Sequence, residues 1–207
     1  MSDLTGMKIL LVDDTPANID VLRRILGNEG LEISVAMNGE TTLTLVGKNR
    51  PDLILLDVMM PGIDGFETCE RLKADPDTRN IPIIFVTAKT DLEDVVRGFK
   101  VGGVDYITKP FKREEVLSRA KTHLSIKRLI QEQELLNNKL QAQNDELIES
   151  ENQYRIILEK SADGVFRLDS EGKIINSNAK FHSALGFDAK EIVGKPIMDI
   201  VNSEDPS

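Results

Sequence analysis

The chain has no tryptophan, a single cysteine, two histidines and two tyrosines. One cysteine, Cys69, excludes an intrachain disulfide and fits a reducing compartment, the cytoplasm. The histidines, His123 and His182, are far apart, and no CxxC pair accompanies them. That leaves too few ligands for a zinc site and no Ser-His-Asp hydrolase set. No apolar run approaches the roughly 20 residues that cross a bilayer. The opening MSDLTGMKILLVDD lacks the basic and apolar regions of a signal peptide, so no membrane partner is expected. A net charge of −9 argues against general nucleic-acid binding, so no nucleic-acid partner is expected. What remains is a 207-residue chain with a hydrophobic fraction of 40%, enough for one ordinary core or two small ones.

Over the first 110 residues, strand-like and helix-like stretches alternate. MKILLV at 7–12 is a short apolar run, as a strand buried on both faces should be. Ile19, Leu22, Ile25 and Leu26 follow at helical spacing, stopped near Gly27 and Gly30. LEISVA, DLILLD, IPIIFVTA and DYIT read as four further strands. GETTLTLVGKN, DGFETCERLKAD and LEDVVRGFKVG read as the helices between them, with Phe66, Cys69 and Leu72 on one face of the middle one. Such alternation predicts an α/β fold: a flavodoxin-like, doubly wound, five-stranded parallel sheet.

In sheets of this kind the reactive crevice lies beyond the carboxyl ends of the strands. The first strand ends at Asp13 and Asp14, the third at Asp57, the fourth at Thr87, and the fifth leads to Lys109. Singly, each aspartate is an ordinary helix cap or turn residue. Jointly, three carboxylates at successive strand ends repel one another unless a hard cation joins them. Mg²⁺ takes oxygen ligands and commonly bridges carboxylates to phosphate. An aspartate can itself accept a phosphoryl group. The set therefore reads as phosphorylation of Asp57, with Mg²⁺ offsetting the charge.

VDD at 12–14, LLDVMMPGIDGFE at 55–67, VTA at 86–88 and YITKPF at 106–111 resemble the receiver domain of two-component response regulators. The resemblance covers roughly residues 6–127. It implies Asp57 as phosphoacceptor and Mg²⁺ held by Asp14 directly, Asp13 through water, Asp57, and the backbone carbonyl of Met59. It implies phosphoryl contacts from Thr87, Ala88 and Lys109, with Lys109–Pro110 a cis bond. Tyr106 would move inward as Thr87 shifts. The phosphodonor would be a histidine kinase or a phosphotransfer protein. Met59, two places after the acceptor, cannot orient a water well, which implies slow autodephosphorylation.

A lone receiver ends near residue 127, giving a first domain of 1–127. Yet from Lys112 to Leu158 there is neither proline nor glycine. As one helix this stretch spans roughly 70 Å, too long for the surface of one small domain. Ile126, Gln133, Leu140, Leu147 and Tyr154 fall seven apart, and Leu129, Leu136, Gln143, Ser150 and Ile157 form the partner row. Seven of these ten are apolar, which predicts a parallel coiled coil over 112–158 and a homodimer. The polar Gln133, Gln143 and Ser150 weaken the seam. The competing arrangement is an amphipathic helix folded back on its own receiver.

After Lys160, GVFRLD and KIINSN alternate like strands around the turn DSEG. This segment resembles the first half of a PAS domain, matching over about 154–201 and assigned here as a partial third domain, 159–207. His182 reads as an ordinary helix residue, since no partner ligands surround it.

The expected function is a response regulator of a phosphorelay, not an enzyme within this chain. Its output would lie beyond Ser207: a diguanylate cyclase, a nucleotide cyclase or a kinase by family analogy. Two alternatives are an inert receiver used as a dimerisation scaffold and an aspartyl-phosphate phosphotransferase. The phosphotransferase reading wants a second aspartate two residues after the nucleophile, where Met59 stands.

Overall fold

The computed structural model describes residues 4–88, 92–187 and 189–201. The last six residues of the expected 159–207 segment lie outside the described residues. The chain divides into two units, Met1–Glu134 and Leu135–Ser207.

In the first unit the elements run β1 (Lys8–Val12), α1 (Pro16–Leu26), β2 (Glu32–Ala36), α2 (Gly39–Lys48), β3 (Leu53–Asp57), α3 (Gly65–Ala74), β4 (Ile83–Thr87), α4 (Leu92–Lys100) and β5 (Asp105–Thr108). Helix α5 (Arg113–Lys160) begins in this unit and continues into the second. The strands pair in parallel in the order β2-β1-β3-β4-β5, the doubly wound arrangement the sequence predicts.

The strand sequences explain the layering. Residues of β3 and β4 are buried throughout, because helices cover both faces. Alternate side chains feed two cores. On one face Ile9, Leu11, Leu55 and Val86 pack with Leu22 and Leu26 of α1 and Val116, Ala120 and Leu124 of α5. On the other, Leu10, Ile54, Leu56 and Phe85 pack with Val46 of α2 and Phe66, Cys69 and Leu72 of α3. LEISVA forms β2 at the sheet edge, so its burial alternates where that of β3 does not. Burial pushes the Cys69 thiol up to about 11, which makes it a packed hydrophobe rather than a reactive thiol.

The starts of α2 and α3 are fixed by side chains. Asn38 Oδ1 accepts from the Thr41 N–H and Asp64 Oδ1 from the Glu67 N–H, both at 2.8 Å. Helix α4 is held least: Gly98 is its one buried residue among those described.

Three residues of α5, Val116, Ala120 and Leu124, are buried. From Leu129 to Ile157 every residue of the helix is exposed.

The second unit holds an antiparallel pair, β6 (Phe166–Leu168) and β7 (Ile174–Ser177), then α6 (Ala179–Leu185), α7 (Ala189–Ile192) and α8 (Ile197–Val201). Ile174, Phe181, Ile192 and Ile200 form its small core. Asn178, 2% exposed, organises the hairpin. Its Oδ1 accepts from Val165 and Phe181, and its Nδ2 donates to the carbonyls of Leu158 and Asp163. Among the described residues, no helix is long and apolar enough to cross a membrane.

Candidate functional site

The parallel sheet delivers five side chains to one edge. Asp13 and Asp14 follow β1, Asp57 closes β3, Thr87 closes β4, and Lys109 follows β5. Carboxylate oxygens of Asp13, Asp14 and Asp57 lie within 4.8 Å of one another. Asp13 and Asp57 are buried while Asp14 is exposed. Lys109 Nζ reaches both buried carboxylates, at 2.8 Å from Asp13 Oδ2 and 2.9 Å from Asp57 Oδ2.

Asp13 is pinned further. It accepts from the Thr15 N–H at 2.9 Å and from Asn18 Nδ2 at 2.9 and 3.0 Å. Thr15 Oγ1 donates to Asp14 Oδ1 at 3.1 Å. Asp57 differs: its Oδ1 is buried and makes no hydrogen bond of ordinary geometry.

The electrostatics follow from this arrangement. Two buried carboxylates share one lysine, so one negative charge is uncompensated. Burial raises the Asp57 pKa above the usual aspartate value, and the charge of Asp13 adds to it. Lys109 and the Met59 N–H pull the other way without reversing it. For Lys109, burial disfavours the ammonium, but hydrogen bonds and charge from Asp13 and Asp57 prevail, and its pKa is raised.

The backbone around Asp57 is tightly built. The Gly65 N–H donates to Val58 O at 3.0 Å, and a Cβ on Gly65 would sit 2.2 Å from the Asp57 carbonyl oxygen. The N-terminus of α3 can therefore approach this strand end only with glycine there. Gly62, at φ +82°, turns the preceding loop. Met59 projects from that loop, 63% exposed. Lys109–Pro110 is cis, and the Lys109 N–H donates to Thr87 O at 2.8 Å. Ala88 follows Thr87 and is exposed.

Tyr106 lies on β5 beside this edge. Its ring meets Phe99 edge-on at 6.4 Å, and the Arg119 guanidinium lies 5.2 Å from its centroid. Asp105, just before it, pairs with Arg119 Nη1 and with His123 Nε2 at 3.0 Å.

The donor set fits a hard divalent cation. Three carboxylates converge, only two of them share the lysine, and a buried carboxylate oxygen is left without a hydrogen bond of ordinary geometry.

A 2-1-3-4-5 parallel sheet with an acidic cluster and one lysine at its carboxyl edge defines a receiver-type α/β domain. The family model described as "Response regulator receiver domain" matches residues 9–121, and a PAS fold model matches 152–207. The chain belongs to the response regulator receiver domain family, with a PAS fold after the receiver.

Among curated proteins, it is 42% identical to response regulator PleD of Caulobacter vibrioides over 125 residues, 60% of this chain and 28% of that protein. It is 43% identical to the DNA-binding response regulator MtrA of Mycolicibacterium smegmatis over 122 residues, 59% of this chain and 52% of that protein. The chain thus spans about a quarter to a half of the length of these relatives. Among solved structures it resembles a response regulator of Chloroflexus aurantiacus, with TM-score 0.57 and 36% identity over 58% of this chain and 99% of that one. It also resembles the receiver domain of a signal transduction histidine kinase from Syntrophus aciditrophicus, with TM-score 0.55 and 40% identity over 58% and 91% of the two chains.

The remaining expected positions lie on α5. Ile126, Leu129, Leu136, Leu140, Leu147, Tyr154 and Ile157 are all exposed, between 48% and 68%. Sequence reasoning missed Asn18, Gly65 and the Asp105–Arg119–His123 group. An asparagine one turn into a helix carries no signal of its own. The pairings of Asp105 join residues 14 and 18 apart, across two elements.

Proposed function

We propose that Asp57 is the phosphoacceptor of a response regulator whose signal leaves through α5. The observation that carries this is Asp57 Oδ1, a buried carboxylate oxygen with no hydrogen-bond partner at the rim of the acidic cluster. It is the oxygen free to attack. The donor is a phosphohistidine of a histidine kinase or phosphotransfer protein. The Asp57 O–P bond forms as the P–N bond breaks, and the histidine keeps the bonding pair. Asp13, Asp14, Asp57 and the Met59 carbonyl would hold Mg²⁺, which when bound offsets the charge of the carboxylates and the incoming phosphoryl oxygens. Asp13 is oriented by Thr15 and Asn18. Lys109, shared by two carboxylates, is placed to follow the phosphoryl group. Thr87 and Ala88 contact it from β4, and Tyr106 moves with Thr87. Met59 has no hydrogen-bonding side chain to orient a water, so the aspartyl phosphate decays slowly.

The output path is a parallel homodimer through the α5 seam, leading to the PAS segment and a further output domain of a cyclase or kinase type. The run of exposed apolar residues from Ile126 to Ile157 supports it. The protein acts in the cytoplasm. DNA binding, named for MtrA, is not carried over, since nothing in these residues supplies it. The inert-scaffold reading has to leave the whole acidic set without a use, and the phosphotransferase reading lacks an acid–base at Met59.

Intact-mass measurement after incubation with acetyl phosphate and Mg²⁺ tests the proposal. A gain of one phosphoryl mass, dependent on Mg²⁺ and lost in Asp57→Asn, is expected. A gain that survives the substitution refutes Asp57 as acceptor.

A further inference from the structure

The ring of Tyr106 is held on two sides by unequal partners. On the α4 side stands Phe99, edge-on at 6.4 Å and itself half exposed. Its helix buries one residue, Gly98, among those described, so this support can move with α4. On the α5 side stands the Arg119 guanidinium, 5.2 Å from the ring centroid. Arg119 is anchored. Its Nη1 bonds Asp105 Oδ1 and its Nε bonds Glu115 Oε1 at 3.2 Å. Asp105 is in turn fixed by His123 Nε2 at 3.0 Å and by the Tyr106 N–H at 2.9 Å. A cation fixed by two carboxylates loses little conformational freedom when it meets an aromatic ring.

A small cleft adjoins Tyr106, lined by Val58, Phe66, Phe85, Thr87, Val95 and Gly98. Thr87, at the end of β4, lines it together with Tyr106. A ring that moves toward Thr87 leaves the Arg119 contact, and Phe99 can follow only if α4 follows. The two restraints therefore act differently: Phe99 travels with the switch and Arg119 opposes it.

We propose that Arg119 is a positioning residue that holds Tyr106 against α5 and so sets how strongly the unphosphorylated receiver resists switching. This rests on the reading that Tyr106 responds to phosphorylation at Asp57. Asp105, Glu115 and His123 serve the clamp by fixing the guanidinium. A cation–π contact at a partly exposed site shifts a two-state ratio by about two- to five-fold.

The test uses the full chain labelled with 3-fluorotyrosine. There are two tyrosines, and a Tyr154→Phe sample assigns which fluorine resonance is that of Tyr106. Spectra are recorded with and without beryllofluoride and Mg²⁺, a phosphoryl mimic, for the parent, Arg119→Ala, Arg119→Lys and Asp105→Asn. Rates of phosphorylation by acetyl phosphate are measured on the same samples. The parent's Tyr106 resonance is expected to move on addition of beryllofluoride. Without it, Arg119→Ala should lie part of the way to that position and phosphorylate about two- to five-fold faster. Asp105→Asn, which frees the guanidinium, should move the same way, and Arg119→Lys, which keeps a cation, should fall between alanine and parent. A purely structural loss would lower the melting temperature without moving the resonance along this line. If beryllofluoride moves the parent but Arg119→Ala does not move along the same line, or moves with no change in rate, the clamp is refuted and the switch stands. If beryllofluoride leaves the parent's Tyr106 unmoved, the switch reading fails and the clamp falls with it.

Discussion

Replacing Asp57 by asparagine should stabilise the resting chain in EDTA and remove most of its stabilisation by Mg²⁺. In the resting site Lys109 serves two buried carboxylates, and Asp57 Oδ1 has no partner. An unsatisfied buried oxygen costs about 1–3 kcal/mol, more when charged. Asparagine keeps an acceptor for Lys109 but gives up charge assistance, so that bond falls from roughly 1.5–3 to about 1 kcal/mol. The balance favours the variant by ~1 kcal/mol, roughly 3–6 °C in melting temperature for a unit of this size. The pH dependence has a definite sign. The Asp57 pKa is raised above 3.8, so the folded chain takes up this proton before the unfolded chain does. The cost of its charge is absent below that value and grows as pH rises from 3.8 through the raised pKa. The advantage of asparagine is therefore present at neutral pH and gone in acid. Mg²⁺ reverses the order, because at about 100 times its Kd a ligand adds ~2.7 kcal/mol to the parent and far less to a site missing one carboxylate. Thermal melts of both chains in EDTA and across a Mg²⁺ titration read all of this. A variant that melts no higher in EDTA, or gains as much from Mg²⁺ as the parent, would show that the buried charge is not frustrated as argued.

Three further outcomes follow from the same geometry. Lys109→Met strands two buried carboxylates and should cost about 3–5 kcal/mol by urea denaturation at neutral pH. That deficit should shrink as pH falls and Asp57 is protonated, and a cost below about 1 kcal/mol would contradict the shared-lysine account. In the parent, the Lys109 contribution is complete below pH 10.5 and lost as pH rises through its raised pKa. Gly65→Ala puts a methyl on the Asp57 carbonyl and should destabilise by about 1–3 kcal/mol, where an unchanged denaturation midpoint would show that α3 can retreat at no cost. Leu140→Lys, at an exposed seam position, should leave the melting of the receiver alone and convert a dimer to a monomer in sedimentation equilibrium; a parent that is already monomeric at tens of micromolar would dismiss the seam.

The fold was legible because burial on both faces leaves a plain mark. DLILLD and IPIIFVTA are apolar runs of strand length, and they form the two innermost covered strands beside β1. The cluster was legible because the doubly wound order sends every strand end to one edge, so Asp13, Asp57 and Lys109 meet although they are 44 and 52 positions apart in turn. What the sequence hid depends on approach distance or on one helix's rotation against another. LEISVA could be read as a strand, but its place at the edge shows only in its alternating burial. Gly65 falls inside the helical stretch DGFETCERLKAD with no mark of its own, and the need for it is a 2.2 Å approach. Asn18 holds Asp13 with two bonds, yet its position one turn into α1 reads as a helix-start residue. Arg119 and His123 meet Asp105 because Val116 and Ala120 fix the rotation of α5.

That rotation also bears on how α5 can serve two partners. At roughly 100° per residue, the buried row of Val116, Ala120 and Leu124 and the row of Leu129, Leu136, Leu140 and Leu147 lie about half a turn apart. A second helix can therefore approach the seam without displacing a core residue of the receiver. Dimerisation alone then gives the receiver nothing to sense. A signal sent through the proposed seam must then come from turning or shifting the buried row. Arg119 and His123 flank that row and join it to Asp105, one residue before Tyr106. On the proposed clamp, a Tyr106 ring that leaves Arg119 frees this anchor, and the proposed seam would carry any resulting turn of α5.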